Sequence, residues 1–399
     1  MKYILFLIGL LILMVVATRV VYSKVRSLGK SSSDLYFDDN TWNNFTIGGF
    51  QFKESENINY DEYKKRTIEH IQEWEKTTVW YKNKSLEGKI IEDSNITKKE
   101  LLKTLDNSYP ERVMDGHSYP FLVYFLEKEK YIYMLLNHYY CDGVTLHDFM
   151  AYTIYHLKEH PTRFVKYKYI PIISDIMLLC YLFRVTLHMI KPSKPLTPDK
   201  ENSYIIRKEI HYQGKINREM AIAKVMQFIF KYLNKDSLCV SNSVGFDDSG
   251  VIYNRIGTVI IDIPKMQTEE EYTQVIKNKI DKYKGDALAS YDLVRNFPVG
   301  FLRYNFNRKV DMILTSFRTD VRKEIDEEYC AVKNLNYELA SFIGKNPDEI
   351  SIYVLANTMF HDNKIIVSLR SNTLDIDISR MLQEEDNIEK VYDYKENKS

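Results

Sequence analysis

The chain has 399 residues, of which 45% are hydrophobic and 28% are charged, and these proportions are typical of a globular protein. Its 55 basic residues balance 55 acidic residues, so the chain lacks the basic excess with which nucleic-acid-binding proteins neutralise phosphates, and we expect no nucleic-acid partner. The cysteines lie far apart, without a CxxC or Cys/His spacing, which argues against a local zinc motif and predicts that no metal is bound.

The first predicted element is an apolar segment at the N-terminus, Tyr3 to Thr18, and further apolar residues follow Arg19. Its length approaches the roughly 20 residues that a membrane-spanning helix needs. A cleaved signal peptide is the alternative, because a shorter apolar core followed by a small residue such as Ala17 also fits that pattern. We favour an uncleaved anchor and assign residues 1–30 to it.

The charges on the two sides of this segment predict its orientation. Only Lys2 precedes the apolar residues, whereas four basic residues follow: Arg19, Lys24, Arg26 and Lys30. Positive charge is enriched on the cytosolic side of membrane helices, so the body of the protein is expected in the cytosol. The prediction is a single-pass protein of a membrane similar to that of the endoplasmic reticulum.

The first half of the body alternates between helical and strand patterns. Apolar residues at helical spacing predict an amphipathic helix from Tyr60 to Lys82. Three short apolar segments, each bounded by polar residues, predict strands at 88–92, 121–126 and 130–137. The polar residues between the last two segments indicate a hairpin.

A second hydrophobic stretch runs from Ile170 to Ile190. Asp175, Arg184 and His188 interrupt it on more than one side, which argues against a second membrane span. The stretch therefore predicts a helix that is either buried or lies at a membrane interface.

A proline-rich segment at 191–202 ends this helix and is typical of an interdomain linker. It divides the body into a first domain at 31–190 and a second domain at 203–399. The second domain contains predicted strands at 203–212, 257–263, 310–316, 350–355 and 364–369 and predicted helices at 216–233, 269–283 and 376–391. Two halves with similar proportions of strand and helix predict an α/β (α+β) fold in which two α/β layers face each other.

One histidine lies in a sequence pattern that suits a catalytic base. His138 follows a predicted strand, Asp142 lies four residues further on, and Gly143 comes directly after it. A neutral imidazole can take the proton from an alcohol as that alcohol attacks an acyl carbonyl. Asp142 would fix the ring or the local backbone, and Gly143 would leave room for a substrate where a Cβ would intrude. The alternative is a core histidine that closes the strand.

With this HxxxDG pattern, the chain resembles the wax ester synthase/diacylglycerol acyltransferase family of the chloramphenicol-acetyltransferase-like superfamily. Four further segments follow the order and spacing of that family's motifs. They are Ser118–Phe121 for its PLW-like segment, Ile216–Arg218 for its ND helix, Asn254–Gly257 for its N-x-x-G segment and Leu314–Phe317 for its TSN strand. The resemblance spans nearly everything after the N-terminal segment.

The resemblance implies two similar chloramphenicol-acetyltransferase-like domains, with mixed sheets flanked by helices and a tunnel between them. Acyl-CoA would enter one mouth as a co-substrate and the alcohol would enter the other, with His138 as the general base and no bound cofactor. Ser316 would donate the hydrogen bond that stabilises the oxyanion, because related acetyltransferases place a serine on the equivalent strand. An ordinary strand serine is the alternative. The implied substrate-binding residues are Asn137, Thr315, Asn217 and Asn254, and Thr315 is the second candidate for the oxyanion donor.

The sequence departs from that family in three places. Asn137 replaces the first of two adjacent histidines, and Arg218 replaces the aspartate of the ND motif. The residues after Leu314-Thr-Ser replace the family's NVPGP segment. The retained histidine carries the prediction of the reaction, whereas these changes leave the substrate open.

The sequence thus predicts a membrane-anchored O-acyltransferase that esterifies a lipid-soluble alcohol, such as a long-chain alcohol or diacylglycerol, with a fatty acyl group from acyl-CoA. One alternative is a short-chain alcohol acetyltransferase, which would differ in the depth of its tunnel. The other is a membrane-tethered protein that keeps the fold without activity, which the changes at Asn137 and Arg218 would explain.

Overall fold

The structure is a computed structural model that describes most of the second half of the chain and separate elements of the first half. The described residues are 9, 12, 13, 16, 44–51, 60–77, 89–92, 96–98, 100–101, 121–137, 165–166, 173–190, 196–199, 202, 204–247, 256–296, 310–318, 336–343, 354–361 and 363–393. The longer helices are α1 (Tyr60–Thr77), α2 (Ile173–Ile190), α3 (Arg218–Tyr232), α4 (Glu269–Lys282), α5 (Lys284–Asn296) and α6 (Ile378–Glu384).

The strands belong to two sheets. In chain order they are β1 (Asn44–Gln51), β2 (Lys89–Glu92), β3 (Phe121–Leu126), β4 (Tyr131–Asn137), β5 (Val165–Lys166), β6 (Tyr204–His211), β7 (Ser237–Asp247), β8 (Ile256–Pro264), β9 (Met312–Arg318), β10 (Asn336–Ile343), β11 (Val354–His361), β12 (Lys364–Ser371) and β13 (Ile388–Asp393). The mixture of helices and strands confirms the predicted α/β class.

The first sheet has its described strands in the order β10-β1-β4-β3-β2. β3 and β4 form the predicted antiparallel hairpin. Lys130 in its turn has a φ of 53°, in the left-handed region that tight turns use. β2 runs parallel to β3, and β1 runs antiparallel to both β4 and β10.

α1 packs against this hairpin and confirms the predicted amphipathic helix. Its buried residues recur every four positions, at Tyr63, Thr67 and Ile71, because that spacing places side chains on one helix face. The hydroxyl of Tyr60 donates a hydrogen bond to the carbonyl of Tyr131 at 2.7 Å. The helix is thereby attached to the first residue of β4.

The second sheet has the order β13-β6-β12-β11-β9-β7-β5, and β8 pairs with β7. β7, β9 and β11 are parallel neighbours, whereas β12 is antiparallel to β11 and β6 is antiparallel to β12. β6 therefore runs in the same direction as β7, and α3 forms the crossover between them, as in a βαβ unit. The N-terminus of α3 consequently lies at the carboxyl edge of the parallel strands.

α3 covers one face of this sheet and forms the largest part of its core. Its buried side chains, among them Met226 and Ile229, share one apolar cluster with Val240 of β7 and Leu314 of β9. Each large apolar side chain buried in this way contributes roughly 1.5–3 kcal/mol. The predicted helix at 216–233 is therefore confirmed as a buried helix.

The two halves of the chain exchange strands. β10, from the second half, pairs with β1 along the whole length of both strands. β5, from the first half, pairs with β7 of the second sheet. The linker also packs onto the second half, since Leu196 is buried and Pro198 forms a bridge with Thr373. The predicted domain boundary stays a prediction about the sequence, whereas the sheets combine strands from both sides of it.

α2 confirms the predicted helix in the second hydrophobic stretch. One face is buried, where Leu178, Tyr181 and Val185 pack with Ala289 of α5. The opposite face is exposed, with 41% to 65% of each large apolar residue accessible to solvent. We call this surface the apolar face of α2, and it comprises Ile173, Ile176, Phe183 and Leu187.

The predicted N-terminal anchor is described at four positions only, residues 9, 12, 13 and 16, which are helical. Ile12, Leu13 and Val16 among them are exposed. Among the described residues, no helix combines the length and the apolar character that crossing a membrane requires. The anchor at 1–30 stays a prediction.

Candidate functional site

The predicted catalytic motif follows directly on the end of β4. Asn137 is the last residue of that strand and pairs with Phe45 of β1. His138, Asp142 and Gly143 lie outside the described residues, as does Asn254. The predicted strand that leads into the motif is confirmed, and the roles of these four residues stay predictions.

The carboxyl edge of the parallel strands in the second sheet is the best defined part of the candidate site. The strands β7, β9 and β11 end at this edge, and α3 begins there. Ligands of open α/β sheets bind at the carboxyl ends of the strands, and helix N-termini with unpaired backbone N–H groups attract negative charge. The position of Ser316, two residues before the end of β9, therefore places the predicted oxyanion donor at the appropriate edge.

Three polar side chains on the three parallel strands share one face of the sheet at this edge. Asn242 of β7 is opposite Leu314 of β9, and Thr358 of β11 is opposite Ser316, two residues further along β9. Because side chains alternate between faces, Leu314 and Ser316 point to the same side of the sheet. Asn242 and Thr358 are fully buried, and only 9% of Ser316 is exposed.

None of these three side chains has a hydrogen-bond partner within the part of the chain that the structure describes. The amide oxygen and nitrogen of Asn242, the hydroxyl of Ser316 and the hydroxyl of Thr358 are all buried and unpaired. Each such group costs about 1–3 kcal/mol of stability, and buried groups of this kind are few in native proteins. Their concentration at one edge makes this edge a candidate site for a polar ligand.

Arg218 adds a positive charge to this cluster. It is the first residue of α3, and its Nη2 donates a hydrogen bond to the carbonyl oxygen of Ser243 at 2.7 Å. Pairing between β7 and β9 ends at Asn242 and Leu314, so Ser243 is the first residue of β7 beyond its pairing with β9, although it still pairs with Thr258 of β8. Arg218 thus occupies the place where the two strands part.

The charge of Arg218 has no carboxylate partner within hydrogen-bonding distance among the described residues, and its buried Nε is unpaired. Burial lowers the pKa of Arg218, and the nearby carboxylate of Glu219 opposes that shift. A guanidinium nevertheless keeps its proton in proteins. A buried cation that contacts the backbone of the residue after Asn242 can contribute to binding an anionic or strongly polar group at this edge. We call Arg218, Asn242, Ser316 and Thr358 the polar cluster.

The structure gives Asn217 a local structural task. Asn217 is the N-cap of α3, and its side-chain oxygen accepts a hydrogen bond from the backbone N–H of Met220 at 2.8 Å. This bond satisfies one of the N–H groups that a helix N-terminus leaves unpaired. The predicted contact of Asn217 with substrate stays a prediction, as does that of Thr315, which lies half-buried on β9.

Sequence reasoning identified Ser316 but missed Asn242 and Thr358. Both occupy core-facing positions in strands of mixed polarity, Val-Ser-Asn-Ser-Val on β7 and Asn-Thr-Met-Phe on β11. A polar residue at a position that alternation assigns to the core is the only local signal. The strand register, which the sequence does not reveal, is what brings them beside Ser316.

Comparison with known proteins supports the fold. No protein-family model and no curated protein matches the chain. A mutant of the starter condensation domain of rhizomide synthetase RzmA, in complex with C8-CoA and Leu-SNAC, aligns with a TM-score of 0.51 and 9% identity, covering 88% of each chain. The epimerization domain from the third module of tyrocidine synthetase B aligns with a TM-score of 0.50 and 10% identity, covering 86% of this chain and 89% of that domain.

These similarities show the architecture. The chain has the mixed α/β fold of condensation domains, which belong to the chloramphenicol-acetyltransferase-like superfamily. The prediction of that superfamily's fold is confirmed, and both similarities extend over most of the chain. The comparisons do not show membership of the wax ester synthase family, and that assignment stays a prediction.

Proposed function

We propose that the protein is an acyl-CoA-dependent O-acyltransferase whose acceptor is a lipid-soluble alcohol. The observation that carries the proposal is the buried, unpaired hydroxyl of Ser316 at the carboxyl edge of the second sheet. The second support is the sequence motif from His138 to Gly143, which follows β4 in the chain. The condensation domain from rhizomide synthetase, which has a similar fold, was solved with C8-CoA bound.

The chemistry requires one base and one hydrogen-bond donor. His138 takes the proton of the acceptor hydroxyl as its oxygen attacks the thioester carbonyl, and a tetrahedral intermediate forms. Ser316 donates its hydroxyl hydrogen to the negative oxygen of that intermediate. The carbon–sulfur bond then breaks, the ester is released, and the CoA thiolate takes the proton from His138. Protons and charge balance without a further reactant.

The rest of the polar cluster suits the donor or the intermediate. Arg218 supplies positive charge near the carboxyl edge, and Asn242 and Thr358 offer hydrogen-bonding groups that no described residue pairs with. Groups held in place before the reaction stabilise developing charge without the cost of reorienting water. A phosphate or thioester oxygen of acyl-CoA is the substrate group that matches this chemistry.

The acceptor is assigned from the surface of α2. The apolar face of α2 exposes large side chains of the kind that membrane-surface helices bury in lipid. The apolar N-terminal segment would hold the protein beside the same bilayer. An alcohol dissolved in that bilayer, such as a long-chain alcohol or diacylglycerol, is the proposed acceptor.

The test is release of free CoA by the purified protein. Acyl-CoA donors of several chain lengths are offered with a panel of alcohols in detergent, for the wild type, His138→Ala and His211→Ala. His211 is an exposed histidine at the end of β6 and serves as the matched control. We expect a loss of at least about a hundredfold in His138→Ala, the scale of general-base catalysis, and no loss in the control.

Three outcomes would contradict parts of the proposal. Equal activity of the wild type and His138→Ala would remove His138 as the base. A preference for acetyl-CoA with small alcohols would replace the lipid acceptor by the short-chain alternative. No CoA release with any pair of substrates would favour a protein that keeps the fold without the activity.

A further inference from the structure

Three side chains of different chemistry converge on the face of the second sheet opposite the polar cluster. His188 comes from the last turn of α2, Cys239 from β7, and Asp262 from β8. The Sγ atom of Cys239 lies 3.1 Å from Nε2 of His188. One potential ligand atom from each of the three residues lies within 4.8 Å of the other two.

The strand register fixes two of these residues side by side. Cys239 and Asp262 are direct partners in the antiparallel pair of β7 and β8, so their side chains leave the sheet on the same face. Cys239 and Ser241 lie two positions apart on β7 and so share one face of the sheet, whereas Asn242 of the polar cluster points to the other face. The cluster is thus separate from the proposed acyl-transfer site.

We propose that His188, Cys239 and Asp262 form a binding site for a divalent transition-metal ion of the zinc type. A thiolate, an imidazole and a carboxylate are the three ligand types that zinc takes in proteins. A zinc ion at about 2.3 Å from sulfur and about 2.0 Å from nitrogen places those two ligand atoms roughly 3.5 Å apart. The separation in the structure is close to that value, so small side-chain movements complete the geometry.

The surroundings of the three residues also suit a cation. Cys239 is buried, His188 is half-buried and Asp262 is exposed, so an ion can enter from the side of Asp262. A carboxylate oxygen of Asp311 accepts a hydrogen bond from the backbone N–H of Cys239 at 2.9 Å. Asp311, whose carboxylate also pairs with Lys235 at 3.2 Å, thereby fixes the backbone of the strand that carries the thiol.

The position of the site would let a bound metal ion stabilise the contact between the two halves of the chain. α2 ends the first half of the chain, whereas β7 and β8 belong to the second half. A metal ion held by all three residues therefore cross-links the two halves beside the linker at 191–202. Water would fill the fourth position of the tetrahedron. The local zinc motif that the sequence lacks is replaced by ligands from distant segments.

A cobalt titration of the full chain tests the site. Co²⁺ bound to a thiolate gives a charge-transfer absorption band in the near ultraviolet, and Zn²⁺ displaces Co²⁺ and abolishes the band. We expect the band in the wild type and in Cys180→Ser, and we expect none in Cys239→Ser. Cys180 is an exposed free cysteine on α2 and provides the matched control.

The proposal is overturned if the wild type gives no band, or if the band persists in Cys239→Ser. Should Cys239→Ser fail to fold, Asp262→Asn replaces it, because Asp262 is exposed and the change preserves the shape of the side chain. In that variant we expect the affinity for Zn²⁺ to fall at least about tenfold, the scale on which zinc sites respond to altered ligand support. An unchanged affinity would equally overturn the proposal.

Discussion

Ser316 and Thr358 lie opposite each other on the parallel strands β9 and β11, and neither hydroxyl has a hydrogen-bond partner in the described part of the chain. Two unpaired hydroxyl groups at adjacent positions reduce the stability of the fold, since each was removed from water without compensation. We therefore expect these two hydroxyl groups to serve activity and not stability.

Ser316→Ala is expected to lower acyl transfer without lowering stability. Removal of an oxyanion donor costs about 10²–10³ in rate. The free energy of unfolding should stay within about 1 kcal/mol of the wild type or rise, because the lost hydroxyl is unpaired in the structure. Denaturant unfolding and CoA release measure the two quantities on the same preparation.

Ser290→Ala is the matched control for that variant. Ser290 is also a buried serine, but its hydroxyl oxygen accepts a hydrogen bond from the N–H of Thr258 at 2.6 Å and lies 2.9 Å from the Thr258 carbonyl oxygen. Loss of this hydroxyl leaves the backbone N–H of Thr258 without its hydrogen bond and should lower the free energy of unfolding by about 1–3 kcal/mol. Equal destabilisation by the two serine variants would contradict the reading of Ser316 as a functional hydroxyl.

Asn217 is expected to act through the helix that it caps. Asn217→Ala removes the bond to the N–H of Met220 and should reduce the free energy of unfolding by about 1 kcal/mol. Asn217→Ser restores a capping oxygen. If Asn217 acts only as the cap of α3, this variant should have the stability and the KM for acyl-CoA of the wild type. A variant that recovers its stability while its KM stays raised would instead support the predicted substrate contact.

Stability below pH 5 is expected to depend on Glu385. Burial opposes ionisation of this carboxyl, but hydrogen bonds from Lys208, Lys231 and Tyr232 outweigh it and lower the pKa of Glu385 from 4.5 to about 2. A carboxyl with a lowered pKa contributes its full stabilisation above the unfolded pKa of 4.5, and the contribution disappears as the pH falls through about 2.

Glu385→Gln measures this contribution. Between pH 5 and pH 2 the wild type should lose about 2 kcal/mol more stability than the variant. This range spans the unfolded pKa of 4.5 and the folded pKa of about 2. Glu270→Gln, at an exposed position on α4, is the control and should follow the wild type. Parallel stability curves for the wild type and Glu385→Gln would show that the ion pairs contribute nothing.

The apolar face of α2 is expected to deliver a bilayer-dissolved acceptor. Phe183, 65% exposed, is its most accessible described residue. Phe183→Asp should lower kcat/KM about tenfold for an alcohol dissolved in vesicles, because a charge opposes insertion of the helix face into lipid, and should leave kcat/KM for a water-soluble alcohol unchanged. Leu374→Asp, at a similarly exposed leucine outside α2, is the control and should change neither value.

Local patterns predicted several elements that bury one clear face, but the helix predicted at 376–391 is wrong at its end, because α6 stops at Glu384 and Ile388–Asp393 form the strand β13. α1, α3 and the hairpin of β3 and β4 were predicted because their apolar residues recur with the period of a helix or alternate as in a strand. The HxxxDG pattern and its accompanying segments also predicted the superfamily fold, which the similarity to condensation domains confirms.

Contacts between distant segments could not be predicted in this way. Cys239 and His188 are 51 residues apart, and no spacing rule connects a cysteine in a strand with a histidine at the end of a helix. Asn242 and Thr358 likewise join Ser316 only through the register of three strands. Register depends on the packing of the whole sheet, since alternation alone fits several registers equally well.

The exchange of β5 and β10 between the halves makes the two sheets depend on each other during folding. A protease that cut the chain within 191–202 would leave two fragments, and each would carry a strand whose partner is on the other fragment. The first sheet would lose more, because β1 would expose an unpaired edge and β10 would have no strand to join, whereas the second sheet would lose only the two-residue strand β5. The cut molecule is therefore expected to stay associated through the pairing of β1 with β10.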